Sequence, residues 1–97
     1  MIFRIEFSEE KNLILKETRG VNFEDAIEAI GKGKILDDIA HFNRKKYPNQ
    51  RILIVKIRKS VYAVPYVIDR RKSEIFLKTV YPSRVLTKKY IKKGKNI

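Results

Sequence analysis

The first seven residues alternate. In Met1–Phe7 (MIFRIEF), Phe3, Ile5 and Phe7 share one face and Arg4 and Glu6 the other, the period-two signature of a half-buried strand. Ser8 follows as an N-cap, with Glu9 and Glu10 in the first helical turn, where the helix dipole favours anions. That helix runs through Leu13, Ile14 and Glu17 to Gly20, a residue suited to the left-handed end of a helix. Asn22 opens a second helix. Asp25 stands three residues on, and Phe23, Ala26, Ile27 and Ile30 form a stripe of three–four spacing that Gly31 and Gly33 close. So short a joint makes the two helices an antiparallel or angled pair.

Lys34–Ile39, apolar and then acidic, reads as an edge strand, and His41–Gln50, which contains Pro48, as a loop. Arg51–Arg58 (RILIVKIR) is apolar on both faces from Ile52 to Val55 and is expected to be central. Lys59 and Ser60 form a tight turn into a strand over Val61–Ile68, where Pro65 argues for an edge or a bulge. Asp69–Ser73 turns the chain into a third consecutive strand, Glu74–Tyr81. Pro82 and Ser83 break that strand, and Ser83 caps a last helix, Arg84–Lys92, with Val85, Leu86, Tyr90 and Ile91 for its apolar side. The segment Lys92–Ile97 is a polar tail, expected to fray. The order β-α-α-β-β-β-β-α predicts an α+β fold in one domain over residues 1–97. It consists of a small antiparallel sheet covered by one layer of two N-terminal helices, with a basic C-terminal helix.

Charge changes this picture. The chain has 97 residues and a net charge of +12. Residues 1–40 hold six Lys/Arg against nine Asp/Glu, whereas residues 41–97 hold seventeen against two, Asp69 and Glu74. Self-repulsion on that scale is costly unless something anionic neutralises it, which points to a polyanionic partner. With no cysteine and one histidine, His41, the chain offers no disulfide, thiol chemistry, Cys-based zinc site or multi-His metal centre. No apolar run approaches the roughly 18–20 residues of a membrane span. Glu6, Glu9, Glu10 and Glu17 argue against a secretory leader, so the expected address is the cytosol.

Three stretches are candidates for chemistry. The loop from His41 to Arg51 joins the one histidine to Arg44, Lys45, Lys46, Arg51, Tyr47 and three amides. Cations hold phosphates and flat rings meet bases, and metal-free RNA cleavage needs a group that titrates near neutrality, as histidine does. The same residues equally describe a solvated loop with a surface histidine and Tyr47 tucked onto the sheet. In the second stretch, Tyr81-Pro82-Ser83-Arg84 with Thr87-Lys88-Lys89, Arg84 and Lys88 share a helix face and can grip a phosphate, or line a plain basic surface. The third, Asp37-Asp38 followed by His41, brings two carboxylates and an imidazole without supporting ligands, too few for a metal set. No phosphate loop, dinucleotide fingerprint or hydrolase motif occurs, so no cofactor is expected. Tyr62, Tyr66, Phe76 and Tyr81 lie on predicted strands, where they either stack on RNA or fill the core; the core is the default for Phe76.

Several stretches, taken in order, resemble the BrnT-like toxins of bacterial type II toxin–antitoxin systems, in the wider RelE/ParE group. They are Phe7-Ser8-Glu9-Glu10-Lys11-Asn12, Arg19 to Ala26, His41 to Arg51, Ile75 to Arg84, and Thr87-Lys88-Lys89-Tyr90. The chain departs from that family's pattern at Arg19, where the family often carries a histidine, and near Lys89 and Tyr90, where it often carries a Glu-Arg pair. The resemblance implies a metal-independent ribonuclease that halts translation, neutralised by a cognate, DNA-binding antitoxin. On this reading His41, Tyr47 and Arg84 carry the chemistry, and Arg44, Lys45, Lys46, Arg51, Lys88 and Lys89 bind RNA, free or on the ribosome. Two alternatives stand beside it: a nucleic-acid- or ribosome-binding protein without chemistry, and a toxin of the same fold that grips a protein such as a topoisomerase.

Overall fold

A computed structural model describes residues 3–92. Its elements are β1 (Arg4–Glu6), α1 (Glu9–Arg19), α2 (Phe23–Gly31), β2 (Ile35–Ala40), β3 (Arg51–Ile57), β4 (Ser60–Asp69), β5 (Glu74–Leu77), β6 (Tyr81–Pro82) and α3 (Arg84–Thr87). The path of α3 continues as a wider, π-helical turn over Lys88–Lys92. Met1 and Ile2 of the predicted first strand, and the predicted tail from residue 93 onward, lie outside the described residues. The fold is α+β, and no helix among the described residues is long and apolar enough to cross a membrane.

The helix ends follow from the caps. The Ser8 side chain accepts from the Lys11 N–H at 3.1 Å, and Gly20 ends α1 in the left-handed region at φ 66°. Asn22 and Asp25 form a reciprocal capping box at the start of α2. A further residue joins the two helices. Asn12, 1% exposed, accepts from the Phe23 N–H at 2.7 Å and donates to the Glu24 carboxylate at 2.8 Å. It satisfies one of the orphan donors at the α2 N-terminus from inside the protein. The bond donated by the Asn12 amide is the main reason the Glu24 carboxyl sits below its ordinary range. At the other end of α1, Arg19 donates to the Val80 carbonyl at 2.8 Å and ties the helix to the chain between β5 and β6.

The strands lie in the order β1-β5-β4-β3-β2, with β6 also on β4. From β2 to β5 the pairing is the expected antiparallel meander. Strand β1, however, joins β5 in parallel, Ile5 opposite Ile75, so the sheet is mixed rather than antiparallel. A three-residue strand takes whichever edge the core offers, and that choice is tertiary. The predicted strand Glu74–Tyr81 divides into β5 and β6 at Lys78–Val80, giving the order β-α-α-β-β-β-β-β-α. Pro65 accounts for the break. Its carbonyl accepts from Lys78 N at 2.8 Å, but it has no N–H to return on that side. Pro65 therefore stands inside the sheet, at a gap in its neighbour, and not at an edge.

Both faces of β3 and β4 are covered, which corrects the expectation of one helical layer. Val55, Ile57, Val64 and Tyr66 meet Leu15, Val21, Phe23, Ala26 and Ala29 of the α1–α2 layer. On the other face Ile52, Ile54, Val61 and Ala63 meet Leu86, with Ile39, Tyr81, Tyr90 and Ile91 packed around them. The last helix is thus a second layer, held in place by the Ser83 N-cap and by Thr87, whose hydroxyl accepts from the Val61 N–H at 3.0 Å.

Asn12→Leu leaves the Phe23 N–H buried and unpaired. It is expected to cost about 2–3 kcal/mol in urea denaturation; a loss below about 0.5 kcal/mol would contradict the role given to this side chain.

Candidate nucleic-acid interface

One extra residue in β2 decides what this edge strand presents. Ile35 stands opposite Val55 but Asp37 opposite Ile54, so Leu36 is a bulge that shifts the register of everything after it. Asp38 consequently shares a face with Leu53 and the α1–α2 layer, while Asp37 and Ile39 share the face of α3. Asp37 accepts from the Tyr90 hydroxyl at 2.7 Å. That bond holds the Asp37 carboxyl below its usual range and pushes the Tyr90 phenol up. Asp38 accepts from the Tyr66 hydroxyl at 2.9 and 2.8 Å and from Arg51 Nε at 3.1 Å. Burial first, and then the Asp38 carboxylate, push the Tyr66 phenol up to about 12. The two carboxylates diverge to opposite sides of the sheet, each held by a tyrosine. Among the described residues no cluster of His, Asp and Glu is arranged to hold a metal.

The Asp38–Arg51 contact closes the base of the 41–50 loop. Arg51 Nη2 also donates to the Asp38 carbonyl at 2.9 Å, and the His41 N–H donates to the Gln50 carbonyl at 3.2 Å. Arg51, expected to bind RNA, is therefore engaged as a clamp between β2 and β3. Within the loop Asn43 caps a single helical turn. Its side chain accepts from Lys46 N at 3.1 Å and its carbonyl from Tyr47 N at 2.9 Å. This turn carries Arg44, Lys45 and Lys46, all exposed.

His41 and Tyr47 are brought together, with ring centroids 4.5 Å apart. Asn43 N donates to His41 Nδ1 at 3.0 Å, so Nδ1 carries the lone pair and the neutral ring holds its proton on Nε2. The ring is thus set to offer an N–H donor. Lys46 Nζ lies 5.3 Å from the centre of the Tyr47 ring. Phe42 completes the group, edge-on to His41 at 6.4 Å and 62% exposed. Nothing in the sequence pattern singles out Phe42, because a lone aromatic in a polar loop has no periodicity to mark it as buried or free.

Arg84 belongs elsewhere. His41 is level with Gln50, while Ser83 N donates to the Val61 carbonyl and Val61 is level with Lys56. Six residues of strand, about 20 Å at ~3.3 Å each, separate those levels. Arg84 and Lys88 line a separate open cleft of about 560 Å³ with Ser60, Pro82, Ser83 and Thr87. Lys89 lies over the Tyr90 ring at 5.3 Å. One phosphate cannot meet both His41 and Arg84. By contrast, Arg70, Arg71 and Lys72 lie in the β4–β5 turn. They stand beyond the level where Tyr66 faces Arg51, at the same end of the sheet as the 41–50 loop. Of the strand aromatics, Tyr62, Tyr66 and Tyr81 pack on the two cores, whereas Phe76 belongs to neither and lies half-buried under the Lys78 amine.

No protein-family model, no curated protein and no solved structure matches this chain.

Tyr66→Phe removes a hydrogen bond to a carboxylate and is expected to cost about 1.5–3 kcal/mol near neutral pH. The Tyr66 phenol is raised from 10 to about 12 in the folded protein, so between those values only the unfolded chain loses its proton. Its contribution is whole below about pH 10 and is lost as pH rises toward 12. The difference in denaturation free energy between wild type and Tyr66→Phe should therefore shrink across that window; a constant difference would contradict the arrangement.

Proposed function

We propose that this chain is an RNA-directed toxin, neutralised by a cognate antitoxin protein, and that it meets RNA through the exposed 41–50 loop. The observation that carries the reading is the loop itself. Three consecutive exposed cations stand on a capped turn beside a group of three rings, with a second run of three cations at the same end of the sheet. Phosphates and bases require that combination, and a purely solvated surface does not. The resemblance to BrnT-like toxins supports the role, which belongs in the cytosol where translation occurs.

If RNA is cleaved, His41 and Tyr47 are the groups of this loop able to move protons, with Arg44, Lys45 and Lys46 to hold charge on the phosphate. Arg84 then acts on another nucleotide of the same strand, about 20 Å away along the sheet, and Lys88 and Lys89 on nucleotides beside it. That separation favours a second reading, a toxin that binds RNA or the ribosome without cutting.

Inducible expression in a bacterial host is expected to arrest growth; normal growth would contradict the toxin reading. Total RNA then separates cleavage from binding. If cutting occurs, His41→Ala should slow it about 100-fold or more. Replacing Arg44, Lys45 and Lys46 together by alanine should flatten the slope of log affinity against log salt by about 2 for single-stranded RNA. An unchanged slope would remove the loop from the interface.

A further inference from the structure

We infer that Phe42 is a stacking platform for one unpaired nucleobase of a single strand, whose flanking phosphates are taken by the cations of the adjoining turn. This rests on the RNA reading above and adds the form of the ligand. At 62% exposure, Phe42 holds a large apolar ring in water immediately before Asn43 and the three cations that follow it. A protein partner that buried this ring would have to desolvate Arg44, Lys45 and Lys46 as well. A nucleotide strand does the reverse: it brings one flat apolar surface together with anions that stay partly in water.

The ring also has a defined setting. Its centroid lies 6.4 Å from that of His41, which is backed by Tyr47 at 4.5 Å, and Asn43 fixes the backbone on its far side through bonds to Lys46 N and His41 Nδ1. The Tyr47 ring has Lys46 over it. Among the described residues no cation lies over the ring of Phe42 and no ring is stacked on it. A paired base keeps both its faces inside the duplex stack and cannot use this surface, so the ligand is a single strand, a loop or a bulge.

The test uses the full chain with a short single-stranded RNA, a single-stranded DNA of the same sequence and a blunt RNA duplex. Phe42→Ala should weaken binding of the single-stranded RNA about 5- to 100-fold at constant salt slope and leave the duplex unaffected. Comparable loss with the DNA would make the site one for any single strand; loss confined to RNA would assign it to RNA. The chain has no tryptophan, so Phe42→Trp introduces a single indole that can be excited apart from the five tyrosines. It should retain affinity, and its fluorescence should be quenched as the strand binds. If wild type binds the single strand but Phe42→Ala binds equally well and the tryptophan stays unquenched, the stacking platform is wrong and the RNA reading stands. If the wild type binds no single strand, both fail.

Discussion

Strand alternation puts the consecutive carboxylates Asp37 and Asp38 on opposite sides of the sheet, and a bulge at Leu36 decides which side each one takes; the candidate site depends on that assignment. Without the extra residue, strand alternation would keep Ile35, Asp37 and Ile39 on one face. With it, Ile39 joins the core under α3, Asp37 reaches Tyr90, and Asp38 reaches Tyr66 and Arg51. The Asp37–Tyr90 contact thereby fastens the edge strand to the turn that continues α3, and the Asp38–Tyr66 contact fastens it to β4 on the other face. The bulge and the two charges also blunt an edge that would otherwise offer free backbone groups to another chain.

The same arrangement explains how an exposed loop acquires a defined shape. A ten-residue connection between β2 and β3 has little burial to order it. Here its two ends are held by Arg51 bonded to the Asp38 side chain and carbonyl and by His41 bonded to Gln50, and its middle is a capped turn. A cationic surface that is already ordered loses less conformational entropy on meeting RNA. On the proposed function, Arg51 would serve RNA binding through the shape of the loop, and Arg44, Lys45 and Lys46 through charge.

Much of this was legible in the residues. Ser8, Gly20 and Asn22 mark the helix ends because capping is local chemistry, and the apolar run Ile52–Val55 marks a central strand because both its faces need cover. What escaped is non-local. The parallel pairing of β1, the packing of α3 on the second face and the rupture of the third strand opposite Pro65 all depend on neighbours distant in sequence. In the site, the pairing of His41 with Tyr47 falls within one loop, whereas the distance from His41 to Arg84 is set by the length of β3. Arg51 looks like any other basic residue until Asp38 is seen beside it.

One end of the sheet, the 41–50 loop with the Arg70–Ser73 turn, is the surface proposed to meet RNA. Nuclear magnetic resonance tests it most directly, by following the backbone amides of the labelled protein as a short single-stranded RNA is added. Shifts confined to residues 41–51 and 69–74 are the predicted result. Shifts centred on the outer face of α1, or on the cleft beside Arg84 alone, would contradict it.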